Sequence, residues 1–351
     1  MNIYNIKSSQ LAAFFDQLIK SGKVVIAPVL KKSGKVFFEE VQSYSKVDTN
    51  YIQTGFSAKS VVFPKVEELF SFKKDEDGIE ITNNLHTIPE TVVWGLRPCD
   101  ASAFNYLTEF FLKDNPDTYF AARKEKTTLI AVSCAKADDA CFCTSVGLNP
   151  GSTSGSDLLL TVMGEDVYVE VMTEKGTAAI ETSASLFTAS EEKSKDEFLA
   201  KITTVFSIDE VKERIKTAYD SAEWKNESMG CFGCGACAFA CPTCTCFDIQ
   251  DEGTQNNGKR LRCWDACGFG LFTKHNSGHN PRTNQTERRR QRLLHKFKYS
   301  VENLGIVSCV GCGRCIRVCP AHLNIFENIL NVTRESKQVN EYTALQLKRE
   351  M

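Results

Sequence analysis

The chain has 351 residues, a net charge of −2 and a hydrophobic fraction of 42%. That length suffices for two domains with their own cores, and the balanced charge argues against nucleic acid as a partner. No run of about 18 apolar residues offers a membrane span, and the opening MNIYNIKSSQLAAFF lacks the charged-then-apolar pattern of an export signal, so a cytoplasmic location is expected.

Leu11, Phe14, Phe15, Leu18 and Ile19 recur at helical spacing, which predicts a helix over residues 8–20. Ser8 or Ser9 is the expected cap, and Gly22 follows the end. KVVIAPV (23–29) and KVFFEEV (35–41) read as strands around a Lys-Ser-Gly turn. TGFSAKSVVFPKVEELFSF reads as a further strand and a short helix, and nothing in residues 1–90 points to chemistry.

TVVWGLRPCD (91–100) is a buried-type strand ending at Arg97, Pro98, Cys99 and Asp100. A helix through Phe104, Leu107, Phe111 and Leu112 should follow, and then a second buried strand, TTLIAVSC (127–134). Strand ends of an open α/β sheet are the usual place for a site. Cys141 and Cys143 lie in the next loop, before strands at 157–162 and 167–172. Cys99, Cys134, Cys141 and Cys143 could therefore hold a third iron–sulfur cluster. The plainer readings are buried apolar cysteine or a labile zinc. The loop NPGSTSGSD (149–157) is a weak phosphate cradle.

Residues 174–225 read as a polar connector with helical content and mixed charge. Cys231 to Cys241 then spells CFGCGACAFAC, followed by Pro242. The pattern is C-x2-C-x2-C-x3-C-P, and it recurs as CVGCGRCIRVC at Cys309 to Cys319 before Pro320. Three close thiolates can hold three corners of a cubane, and the fourth, before proline, ligates the other cluster of a pair. Cys231, Cys234, Cys237 and Cys319 are expected to hold one [4Fe–4S] cluster, and Cys309, Cys312, Cys315 and Cys241 a second. Zinc sites gain nothing from a third cysteine at the next step, and disulfides would imply export.

Between the runs lie Cys244, Cys246, Cys263 and Cys267. Cys244, Cys246 and Cys267 are candidates for a further metal role or a fourth cluster. HNPRTNQTERRRQRLLHKFKY carries Arg282, Arg288, Arg289, Arg290, Arg292, Lys296 and Lys298 on an expected helix capped by Thr283 or Thr286 and reaching about Tyr299. The default for such a run is a solvated face. The functional readings are a docking surface for an acidic partner or a field favouring reduced clusters. His275, His279 and His295 could replace a thiolate but fit ordinary hydrogen bonding. Leu323, Phe326, Ile329 and Leu330 mark a last helix, and the tail 333–350 is polar with a helical leaning.

The fold expected is α+β. An α/β domain (1–190) precedes a helical connector (191–225) and a mainly helical ferredoxin-like domain (226–351). No dinucleotide-binding glycine fingerprint, P-loop or nucleophile–base pair stands out.

GLRPCD (95–100), CFC (141–143), CPTCTCFD (241–248), CWDAC (263–267), HNPR and HKFKY before CVGCGRC carry a resemblance. The chain resembles the dicluster iron–sulfur family. That family includes beta subunits of cytoplasmic NAD(P)-linked NiFe hydrogenases and sulfhydrogenases, the A-type component of anaerobic sulfite reductases, and iron–sulfur subunits of flavin oxidoreductases that feed heterodisulfide reductase. The resemblance implies an electron-transfer subunit of an anaerobic oxidoreductase complex. A flavin-containing NAD(P)H oxidoreductase subunit would stand on one side of it. On the other would stand a catalytic metalloenzyme subunit, hydrogenase-like first and sulfite-reductase-like second. The family shares the N-terminal cysteines, whereas Cys263 is not carried over. A self-contained flavin and iron–sulfur reductase is the rival from another class.

Overall fold

The computed structural model describes residues 2–333. Among these residues two sheets form, from β1 (Asn2–Lys7), β2 (Val24–Leu30), β3 (Val36–Glu40), β4 (Val66–Asp75), β5 (Gly78–Thr82), β6 (Thr91–Leu96), β7 (Thr127–Val132), β8 (Leu158–Met163), β9 (Asp166–Val171), β10 (Thr188–Ala189), β11 (Phe247–Gly253) and β12 (Asn257–Trp264). Helices accompany the sheets, as an α+β chain requires.

The larger sheet runs β10-β1-β9-β8-β7-β6-β2-β3. Its centre, β8-β7-β6-β2, is parallel, and the flanking pairs are antiparallel. Every residue of β6 is buried, which is why TVVWGL reads as an apolar run instead of an alternating one. The helix Leu11–Lys20 covers one face, with Phe14 and Phe15 meeting the Trp94 ring edge-on at 5.5 and 5.2 Å. Neither Ser8 nor Ser9 caps it; a single 3₁₀ turn, Ser8–Gln10, leads in instead. The helix Pro98–Leu112 lies on the other face and buries Phe104, Leu107 and Phe111 against Val93, Leu96 and Leu129. Pro98 opens it, at the position where a missing N–H costs nothing. Because β6 and β7 are parallel neighbours, Cys99 and Cys134 emerge at one edge of the sheet.

The smaller sheet, β11-β12-β4-β5, corrects the expected division of the chain. The β11–β12 hairpin falls in the stretch expected to be mainly helical, and it pairs antiparallel with β4 of the N-terminal half. Arg262 on β12 is buried in ion pairs with Glu67 of β4 and with Asp117, and Arg123 joins Glu67 at 2.7 Å. The expected connector is also more than a linker. Phe206, Val211, Ile215 and Trp224 share a core with Leu293, Phe297, Phe326 and Ile329.

The basic helix begins at Asn284, which forms a capping box with Glu287, so neither Thr283 nor Thr286 is the cap. It runs Gln285–Leu294, passes through a π-helical turn at His295–Tyr299 and continues as Ser300–Leu304. The last described helix is Ile325–Thr333. The expected helical tail lies outside the described residues beyond its first residue.

Candidate metal centres

One cavity is lined by Cys231, Cys234, Cys237 and Cys319, with Cys267 beside them. The first run reaches it through Gly233 and Gly235, both at positive φ; a Cβ on Gly235 would sit 2.5 Å from the Phe269 ring. Cys237 rides on the short helix Ala236–Ala240, and Cys241 leaves that helix in extended conformation before Pro242. Gln285 Nε2 donates to Cys231 Sγ at 3.1 Å, and the Leu323 amide donates to Cys319 Sγ at 3.3 Å. Cys234 is exposed.

A second cavity is lined by Cys241, Cys309, Cys312 and Cys315, with Lys296, Phe142 and Ile325. Burial pushes the Cys309 thiol up to about 11 and Cys315 up to about 12. Cys241 is held well below its ordinary value, first by a hydrogen bond with the Cys244 thiol and then by Lys296 and Arg292. Each cavity therefore collects three cysteines of one run and the fourth of the other.

The basic helix turns its charges inward where a solvated face was the default. Arg292 is 5% exposed and Lys296 3%. Arg292 donates to Cys244 Sγ at 3.0 Å and to the Cys237 carbonyl at 2.9 Å. Lys296 Nζ donates to Cys241 Sγ at 3.3 Å, Thr243 Oγ1 at 3.0 Å and the Ser308 carbonyl at 2.7 Å. Gln285, Arg292 and Lys296 share one face at steps of seven and four. Arg290 instead stacks on Tyr219 at 4.0 Å, and Lys298 binds the Lys216 carbonyl. No carboxylate is paired with Arg292 or Lys296 among the described residues. Burying an uncompensated cation costs several kcal/mol, and the anions at hand are thiolates. The donor set and its buried counter-charges fit an anionic sulfur-ligated group.

The second run is interlocked with the loop carrying Cys141 and Cys143. The Phe142 amide donates to the Gly311 carbonyl at 2.9 Å. A Cβ on Gly311 would lie 2.5 Å from Cys143 Cα, and one on Gly313 would lie 2.2 Å from the Ala140 oxygen. Cys99 packs with Val310 and Cys312 and receives a hydrogen bond from Gln53 at 3.3 Å. Arg317 donates to Cys141 Sγ at 3.2 Å. Burial first, and then the neighbouring thiols, push Cys143 up to about 12. Burial likewise takes Cys134 to about 11, with Cys141 adding to the rise. The four N-terminal cysteines thus lie in one another's field, against the second cavity.

Cys246 and Cys267 meet at the base of the β11–β12 hairpin, and Cys244 faces Arg292. Cys263 lies on β12 opposite Val66 and Asp248. His275 and His279 face each other at 5.4 Å, and burial with Lys296, Arg292 and Arg282 lowers His295 to about 4. Among the described residues no group of three or more His, Cys, Asp or Glu converges on a single metal ion. Sequence reasoning passed over Gln53, Lys59 and Thr243, which touch the cysteines or the peptides carrying them, and Arg314, which pairs with Asp100 beside Cys99. Their residue types gave no signal; only the fold brings them there.

The stretch 230–323 matches the family model of the 4Fe-4S dicluster domain. It contains all eight cysteines of the two runs, together with Cys244, Cys246, Cys263 and Cys267. The similarity extends beyond the dicluster domain. Over 340 residues the chain is 27% identical to sulfhydrogenase 2 subunit beta of Pyrococcus furiosus, covering 94% of this chain and 98% of that one. No described helix is long and apolar enough to cross a membrane.

Proposed function

We propose that this chain is the iron–sulfur electron-transfer subunit of a cytoplasmic, hydrogenase-like complex, standing between a flavin subunit that handles NAD(P)H and a subunit with a catalytic metal centre. The observation that carries this reading is the crossed lining of the two cavities. On it, Cys231, Cys234, Cys237 and Cys319 hold one [4Fe–4S] cluster, and Cys309, Cys312, Cys315 and Cys241 hold the other. Cys99, Cys134, Cys141 and Cys143 hold a third against the second. When bound, such clusters carry single electrons at potentials set by hydrogen bonds, charge and burial.

The chain's own residues supply those settings. Arg292 and Lys296 bring positive charge to the sulfur around the two cavities. Gln285 and Gln53 donate to sulfur from either end of the row. Phe142 and Ile325 shield the second cavity from water. The first cavity opens outward: Cys234 is exposed, Phe232 is 75% exposed and Met229 76%. A partner that exchanges electrons here has an apolar surface to meet.

Iron and acid-labile sulfide per chain, measured on anaerobically purified protein with EPR of the reduced sample, test the reading. About twelve irons are expected for three cubanes, and about eight would confine the clusters to the two runs. Sulfide-free zinc would end the electron-transfer reading. Flavin retained by the purified chain would favour the self-contained reductase. The weak phosphate cradle at 149–157 opens on a cavity of about 380 Å³ lined by Ser154, Gly155, Lys124 and Lys175. Lys175 there already donates to two backbone carbonyls, which weighs against that rival.

A further inference from the structure

We infer that the mouth of the first cavity is the docking surface for an electron-carrying protein with an apolar centre and an acidic border. The inference rests on the electron-transfer reading above and names the chemistry of a partner which that reading requires.

Exposure singles out the place. Of the sixteen cysteines, Cys234 alone is exposed, and it lines the first cavity. The three most exposed large apolar side chains among the described residues are Met229, Leu271 and Phe232, at 76%, 76% and 75%. The next, Ile81 and Ile79, lie elsewhere, on β5 at the edge of the smaller sheet. Met229 stands two residues before Cys231, and Phe232 follows it. Leu271 belongs to the loop after Cys267, and that loop abuts the first run: a Cβ on Gly233 would lie 3.3 Å from the Gly268 oxygen. Large apolar side chains left together in water mark an interaction site. These three flank the one cysteine that solvent, and hence a partner, can reach.

Charge sets the kind of partner. Residues 268–282 carry Lys274 and Arg282 and no carboxylate. Arg288 adds a third cation beside them. It donates to the Arg282 carbonyl at 2.9 Å, and a Cβ on Gly270 would meet its guanidinium at 3.8 Å. None of the three is ion-paired with a carboxylate among the described residues. Glu287 is held in its capping box at Asn284, and Glu227 accepts from Asn328 and Asn331. A cationic border steers and orients an acidic surface, and an apolar centre holds the complex once formed.

Stopped-flow mixing tests the surface. The full-length, anaerobically purified chain is reduced, freed of reductant and mixed with oxidised flavodoxin, a small acidic electron carrier. Wild type is compared with Met229→Ser/Leu271→Ser, Lys274→Glu/Arg282→Glu and Ile79→Ser/Ile81→Ser, none of which replaces a residue lining either cavity. The first two should lower the second-order rate about tenfold or more, and the third should leave it unchanged. The wild-type rate should fall as salt rises, and the charge-reversed variant should gain rate toward cytochrome c, a basic carrier. Unchanged rates in the first two variants, an equal loss in all three, or a wild-type rate that is flat or rises with salt would each overturn the inference. Iron content and EPR are read on every variant. Should the apolar variant lose iron, the salt dependence and the charge-reversed variant decide. A reduced wild type that passes electrons to cytochrome c and not to flavodoxin overturns the acidic partner and leaves the electron-transfer reading standing. Wild type without iron and sulfide overturns that reading, and the inference falls with it.

Discussion

Arg314 and Asp100, 214 residues apart in the chain, form a bidentate ion pair in which each side chain is 1% exposed. Arg314 stands between Cys312 and Cys315, and Asp100 follows Cys99. The pair fastens the second cysteine run to the end of β6, and Arg314 also donates to the Thr54 carbonyl at 2.9 Å. Removing one partner strands a buried charge. Arg314→Met or Asp100→Leu alone should cost about 3–5 kcal/mol, whereas the double variant should cost clearly less. Anaerobic urea unfolding measures this, and a double variant as costly as the sum of the singles would refute it.

Arg292 and Lys296 place positive charge beside sulfur, so their removal should make the clusters harder to reduce. Arg292→Gln and Lys296→Gln should each lower a cluster potential by on the order of 100 mV, from Coulomb's law at an effective dielectric near 20. Arg290→Gln, which loses a charge stacked on Tyr219, should shift it far less. EPR-monitored redox titration distinguishes them. Equal shifts for all three would mean that the field is general.

Gly311 has φ +61 and lies against Cys143, whereas a Cβ on Gly268 would meet nothing within 4 Å. Gly311→Ala should cost at least about 1–3 kcal/mol through strain alone and loosen the Cys141–Cys143 loop. Iron content should fall with it. Gly268→Ala should leave both iron and melting temperature near wild type. A Gly311→Ala protein with full iron and unchanged melting would contradict this.

His295 titrates at about 4 in the folded chain, below its ordinary 6.5, because burial and then the Lys296, Arg292 and Arg282 charges disfavour its cation. The unfolded chain therefore binds the proton first. Stability is fully present above pH 6.5 and is lost as pH falls toward 4, by at most on the order of 3 kcal/mol. His295→Gln should flatten that part of the curve. Thermal melts of both proteins across this window would show it, and parallel curves would exclude His295 as the cause.

The cysteine runs could be read from sequence because cluster ligation needs a fixed local spacing, and the crossed cavities carry that spacing into three dimensions. TVVWGL and TTLIAV were legible for a similar reason: strands buried on both faces are apolar throughout. The β11–β12 hairpin was not. FDIQDEG is exposed and polar, and its strand character comes from pairing with β12, which pairs in turn with β4. Arg292, Lys296 and Lys59 were illegible as site residues because their residue types belong on surfaces. Their burial is set by the fold around the cysteines, which single-residue propensities do not register. The cap at Asn284 was missed in favour of nearby threonines, although Glu287 three residues on was the signal.

The pairing of β12 with β4 has a consequence for synthesis. Glu67 emerges from the ribosome 195 residues before its partner Arg262. At about 5–20 residues per second, β4 waits roughly 10–40 s with one edge bare. An unpaired strand edge is a template for a neighbouring chain, and the nascent N-terminal half carries one for the whole of that interval. A ribosome that stalls before residue 257 would leave a fragment whose β4 edge has no intramolecular strand to receive.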